Sequence, residues 1–168
     1  MAQSAHSASL LDTEILKELK QARIAIVCTE WNDTIVAAQL SGCEKILSEF
    51  GATITEKVIV PGSFEIPFAC QHLWNYYSSK NEEQRPEAII TFGVVIRGGT
   101  PHFDYVCKAV TEGVTKLNLT LPIPVVFGVL TLDTEEQAWE RLGGNHGHKG
   151  EEAALTALKM VAFNRRYR

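Results

Sequence analysis

Hydrophobic residues fall into two rhythms along this chain. Four short runs are almost continuously apolar: Arg23–Cys28 (RIAIVC), Ala52–Val60 (ATITEKVIV), Ala88–Ile96 (AIITFGVVI) and Pro124–Leu130 (PVVFGVL). Each is rich in β-branched residues and short for a helix, and each ends in turn-forming residues, so each is predicted to be a strand, the first of them buried. Between the runs, apolar residues recur at three- and four-residue intervals. Thr34–Phe50 places Ile35, Leu40, Cys43, Ile46 and Leu47 on one face, with Asn32 or Asp33 as its cap and Gly51 as its C′ stop. Further helices are expected over 65–77, from Pro101 to about Leu119, over Thr134–Leu142 and over Glu151–Phe163, the last two separated by GGNHGHKG. Leu10–Leu19 carries a shorter amphipathic pattern.

Strand and helix thus alternate four times, and the strands lack the polar alternation of a half-exposed sheet. That pattern predicts an α/β fold: a flavodoxin-like three-layer sandwich whose four-stranded parallel sheet is flanked by helices. Residues 1–22 are expected to form an extension, mobile or paired with a neighbouring subunit, and 23–168 a single domain. Ligands of such sheets sit beyond the carboxyl ends of the strands. The segments to inspect are therefore TEWND, PGSFE, RGGTPH and the stretch after VVFGVLT.

Composition narrows the function more than the fold. At 168 residues, 45% hydrophobic and 21% charged, the chain can bury one sizeable core. Its net charge of −4 comes from interleaved acids and bases, which gives neither nucleic acid nor a membrane surface a basic stripe to bind. The end, Arg165-Arg166-Tyr167-Arg168, reads as a solvated charged tail. Cys28, Cys43, Cys70 and Cys107 are far apart and lie in apolar stretches, as buried reduced thiols do. No run reaches the ~18–20 apolar residues of a membrane span, and the N-terminus lacks a secretory pattern. A soluble cytoplasmic protein is expected.

The strand ends carry more chemistry than packing requires. Trp31 either stacks on a flat ring, with Asn32 supplying amide hydrogen bonds, or packs beneath a loop. Ser63 and Glu65 suit a polyhydroxylated ligand, and equally suit an ordinary helix start. Gly98-Gly99-Thr100 presents backbone N–H groups at a helix start, an arrangement that binds anions, although it matches neither a P-loop nor a dinucleotide fingerprint. His102 follows in the first helical turn, where an imidazole can move protons near neutral pH. Arg141 is a phosphate clamp or a solvated arginine paired with Glu140. His146 and His148 lack the Cys or acid that would complete a metal set. Glu30 and Asp33 are a poor imitation of the acidic cluster of a signalling receiver, and no late-strand lysine accompanies them.

Six stretches taken together, EWND, VPGSFEIPFA, GVVIRGGTPHFDYV, PVVFGVLT, EEQAWERLGG and HKGEEAALTALKM, resemble the lumazine synthase family in order and spacing from about Arg23 to the last helix. The resemblance implies condensation of 5-amino-6-(D-ribitylamino)uracil with 3,4-dihydroxy-2-butanone 4-phosphate, without a cofactor or a metal. It implies that Trp31 stacks on the pyrimidine. Asn32, Ser63, Phe64 and Glu65 would hold the ribityl chain and ring edge, and Val94, Val95 and Ile96 would offer backbone groups to the ring. Gly99, Thr100 and Arg141 match the phosphate site and His102 the proton-transferring histidine. Phe127 matches an aromatic supplied by a neighbouring subunit, and Lys149 a lysine that closes the site from that side.

Two positions depart from the family's pattern: His148 stands where asparagine is common, and Pro101 where a small polar residue is common. The same resemblance implies a homo-oligomer with sites between subunits, a pentamer or an icosahedral shell of pentamers, and riboflavin synthase as a candidate partner. The alternative it leaves open is a relative that binds lumazines or flavins without catalysis.

Overall fold

The structure, a computed structural model, describes residues 21–167 together with Thr13, Leu16 and Leu19. The amphipathic stretch Leu10–Leu19 and the extension of residues 1–22 therefore lie largely outside the described residues.

Strands β1 (Arg23–Thr29), β2 (Thr53–Val60), β3 (Ala88–Ile96) and β4 (Val125–Leu132) form one parallel sheet in the order β2-β1-β3-β4. The period of two along a strand divides the core between its faces. Ile24, Ile26, Cys28, Ile90 and Phe92 face helices α1 (Asp33–Glu49) and α5 (Lys149–Arg166). Ala25, Val27 and Ile89 face α2 (Ile66–Ser78) and α3 (His102–Thr120). Burying each larger aliphatic side chain contributes roughly 1.5–3 kcal/mol, so the central strands exclude polar residues unless they are paired. Thr91 obeys this rule, because its buried hydroxyl donates to the Val126 carbonyl at 2.9 Å.

The edge strand β2 is mostly exposed, and its pairing with β1 slips between Ile24 and Ala25. The hydroxyl of Thr55, the residue passed over, donates to the Ile24 carbonyl at 3.3 Å. Helix α1 ends as expected. Gly51 takes φ 63°, its N–H donates to Ser48 and that of Ala52 to Leu47, which is the hydrogen-bond pair of a Schellman stop.

Three expectations need correction. Thr134–Leu142 is not one helix: only α4 (Glu136–Trp139) is helical. GGNHGHKG is not simply a break either, because β5 (Leu142–Gly144) and β6 (Gly147–His148) pair as an antiparallel hairpin. Gly143 at φ 112° and Gly147 at φ 73° supply backbone conformations that other residues rarely take. The arginine-rich end is not wholly solvated. Arg165 forks onto the buried carboxylate of Glu87, with Nε to Oε1 at 2.8 Å and Nη2 to Oε2 at 2.7 Å, which fixes the end of α5 beside the start of β3. Of the cysteines, Cys28, Cys43 and Cys70 are buried and free, while Cys107 is only half-buried and free. Among the described residues no helix is long and apolar enough to cross a membrane.

Candidate active site

The chain leaves β1 towards β2 on one side and reaches β3 on the other, so the carboxyl ends of β1 and β3 form the sheet's switch point. Backbone bonds close this end: Glu30 N–H donates to the Val60 carbonyl at 2.9 Å and Trp31 N–H to the Pro61 carbonyl at 3.3 Å. Asn32 takes φ 59° at the N-cap of α1, yet its side chain does not cap the helix. Instead its amide crosses the switch point and donates to the Val94 carbonyl at 3.1 Å. The sequence pattern foresaw a cap here; the structure uses the side chain to join β1's exit to β3.

A cleft of about 660 Å³ opens over this junction. It gathers Trp31, Asn32, Ser63, Phe64, Glu65, Val94, Val95, Ile96 and His102 from three strand ends. The two readings of Trp31 are thereby separated, since the ring is 72% exposed on the cleft and not packed beneath a loop. Glu65 N-caps α2 without a side-chain cap bond, and its carboxylate lies over Gly62, where an added Cβ would stand 3.2 Å from Oε2. Ser63 is buried on the cleft lining, and its Oγ has no hydrogen-bond partner. An unpaired buried hydroxyl costs about 1–3 kcal/mol, which a ligand's polar group can recover. Gly93 makes its room, for a Cβ there would come within 2.7 Å of that oxygen.

His102 is the first residue of α3, exposed on the cleft. Gly98, Gly99 and Thr100 precede it in an exposed turn. Arg97, at the start of that turn, is committed elsewhere, bonded to Asp133 and Asp104.

Phe127, Arg141 and Lys149 are not part of this cleft. They line a second one, of about 640 Å³, between β4 and α5. Arg141 follows α4 and lies outside any helix; its Nη1 donates to the Gln137 carbonyl at 2.9 Å, and Glu140 stays 3.9 Å away. The Lys149 ammonium meets both oxygens of Glu152, at 2.7 and 2.8 Å. Sequence reasoning missed Glu152 on the second cleft and Val106 on the first. The i, i+3 spacing of Lys149 and Glu152 was the signal for the first of these.

The fold and these clefts define a doubly wound α/β protein whose switch-point cleft suits a small polar, partly aromatic ligand. The family model described as 6,7-dimethyl-8-ribityllumazine synthase matches residues 21–165, and the chain belongs to that family. Among its relatives, the Porphyromonas gingivalis protein of that name is 43% identical over 167 residues, covering 98% of this chain and 99% of the relative. That of Bacteroides fragilis is 46% identical over 143 residues, covering 84% and 95%. That of Kocuria rhizophila, 42% identical over 157 residues, covers 92% and 94%.

Proposed function

We propose that this chain condenses 5-amino-6-(D-ribitylamino)uracil with 3,4-dihydroxy-2-butanone 4-phosphate to 6,7-dimethyl-8-ribityllumazine, releasing phosphate and water, as the penultimate step of riboflavin biosynthesis. The observation that carries the reading is the switch-point cleft, where an exposed tryptophan, an unpaired buried serine hydroxyl and an exposed histidine converge.

The chemistry needs three things of the site. The uracil's amine adds to the ketone and water leaves, phosphate then departs, and the ribityl-bearing nitrogen closes the ring on the remaining carbonyl with loss of a second water. Trp31 stacks on the pyrimidine, the backbone of Val94–Ile96 meets its edge, and Asn32, Ser63, Phe64 and Glu65 hold the ribityl chain. Holding two reactants in register removes roughly 7–11 kcal/mol of barrier in favourable cases. The N–H groups of Gly99 and Thr100, with the Arg141 guanidinium, stabilise the departing phosphate. His102 moves protons between amine, ketone and leaving group, a contribution of roughly 10²–10⁴-fold.

One chain holds these groups in two clefts, so the reading includes an oligomer. Phe127, Arg141 and Lys149 of one subunit complete the switch-point cleft of its neighbour. Support comes from the exposure of Trp31, Phe64, Phe68, Tyr105 and Phe127, which a neighbour would cover. We read the assembly as a pentamer, with the short hairpin at Gly143–Gly147 compatible with a shell of pentamers. Sedimentation separates the two. Buried reduced thiols fit work in a reducing compartment, the cytoplasm.

Mixing both substrates with the protein and following lumazine absorbance and fluorescence tests the activity. Product formation supports synthesis, whereas binding of lumazine without product supports the non-catalytic alternative. Subunit sharing is tested by reassembling the impaired His102→Ala and Arg141→Ala subunits together, with the phosphate-bearing substrate below saturation. Recovery of roughly a quarter of the wild-type rate is expected if each site draws on two neighbours in a ring. No recovery means that each chain builds its site alone.

A further inference from the structure

Within the turn from Gly98 to Pro101, packing holds neither glycine in place. A Cβ added at Gly98 or Gly99 would meet no atom within 4 Å, and both residues are exposed. A glycine pair without packing has much conformational freedom to lose, so the form of the turn must be imposed from its ends.

Arg97 reaches both ends. Its N–H donates to the Leu132 carbonyl at 2.9 Å, which continues the pairing of β3 with β4 past the last strand residue. Its Nε donates to Asp133 Oδ1 at 2.7 Å, just beyond β4. Its Nη1 donates to Asp104 Oδ1 at 3.3 Å, in the first turn of α3. The same guanidinium lies 4.1 Å from the centre of the Phe103 ring. One planar group therefore joins the end of β4 to the residues that directly follow His102. A single exposed ion pair contributes little; a fork held by two carboxylates and a ring face restricts geometry in a way that no single pair does.

We infer that Arg97 is a positioning residue, which sets the Gly98–Pro101 turn and the placement of His102 by bracing the first turn of α3 against the end of β4. This rests on the reading of Gly99, Thr100 and His102 given above. It differs from the obvious alternative, in which an arginine two residues from a phosphate-binding turn binds the phosphate directly.

The two roles predict opposite effects at Asp133. If Arg97 braces the turn, Asp133→Asn removes one anchor and lowers kcat in the same direction as Arg97→Gln. If Arg97 binds phosphate, Asp133→Asn releases the guanidinium and lowers KM for the phosphate-bearing substrate. We expect kcat to fall about tenfold in Arg97→Gln and several-fold in Asp133→Asn, with KM for the uracil substrate unchanged, since a misplacement near 1 Å can cost about a hundredfold. Arg97→Lys keeps the charge but loses the fork, so it should resemble Arg97→Gln. Full rescue by lysine would overturn the brace.

Hydrogen exchange at the amides of Arg97, Asp104 and Tyr105, which bond across the ends of the turn, is independent of substrate. About tenfold faster exchange there in both Arg97→Gln and Asp133→Asn supports the brace. Unchanged exchange overturns it even where kcat falls. Faster exchange with wild-type kinetics would instead overturn the place of this turn in the reaction, and with it the functional reading on which Arg97's role depends.

Discussion

The backbone N–H of Lys149 donates to the carbonyl of Arg141 at 2.8 Å, across the base of the hairpin formed by β5 and β6. Eight positions apart in the chain, the two cations are thus presented together by one short element. Arg141 is the freer of the two. Among the described residues its guanidinium meets only a backbone carbonyl and a distant Glu140, whereas the Lys149 ammonium is held by Glu152.

Arg141 should therefore govern the phosphate-bearing substrate. A hydrogen bond to a charged group contributes about 1.5–3 kcal/mol. Arg141→Ala is expected to raise KM for the butanone phosphate by roughly ten- to a hundredfold on that scale. KM for the uracil should change far less. Steady-state kinetics with each substrate varied in turn checks this, and unchanged saturation by the phosphate substrate would remove Arg141 from the phosphate site.

Replacing His102 should slow the reaction without stopping it. Positioning supplies more of the barrier reduction than proton transfer does, so His102→Ala retains measurable turnover while kcat drops by about a hundredfold or more. The measurement is kcat at saturation of both substrates. A complete loss of product formation would mean that His102 carries more than proton movement.

At the opposite end of the sheet, Glu87 links acidity to stability. Burial alone would raise its pKa. The Arg165 fork, the Arg23 N–H at 3.1 Å and the two positive charges outweigh that and hold the carboxyl below the ordinary glutamate range. A depressed folded-state pKa gives stability that is fully present above the unfolded value, about 4.3, and is lost as pH falls through the folded value. Glu87→Gln should cost about 2 kcal/mol at neutral pH, less than breaking a fully buried pair because Arg165 reaches solvent. Urea midpoints measured against pH should show the two proteins converging below pH ~4. A difference that stayed constant to low pH would assign Glu87 a packing role only.

Much of this was legible in the sequence for identifiable reasons. Buried parallel strands cannot disguise themselves, so RIAIVC and AIITFGVVI marked β1 and β3, and the switch point followed from their order. Trp31, Ser63 and His102 were visible because they stand where strands end. What stayed hidden depended on long-range pairing. Nothing local separates a helix over Thr134–Leu142 from the observed short turn and hairpin; the glycines that take positive φ decide it, together with Gly144 pressed against the Glu140 backbone. The Arg165–Glu87 pair joins residues 78 positions apart, beyond any periodic pattern. The division of candidate residues between two clefts likewise depended on strand order, which sets β4 at the edge of the sheet, away from the switch point.

His148 and Gly42 supply the last prediction. His148 is the N-cap of α5, with Nδ1 accepting the Glu151 N–H at 3.4 Å, and its ring fills the space where a side chain on Gly42 of α1 would begin. The imidazole thus fixes the residue before Lys149 against a helix on the same face of the sheet. Gly42→Ala would drive a methyl group into that ring and should cost about 1–3 kcal/mol through overpacking. His148→Asn keeps a capping oxygen and shortens the side chain, so alone it should lose only the packing. In the double variant the added methyl occupies part of the vacated space, and the two losses should fall short of their sum by roughly 1 kcal/mol. Urea unfolding of the wild type, both single variants and the double variant measures that coupling. Simple additivity would mean that the ring of His148 does not rest on Gly42, and would leave the cap bond alone to place Lys149.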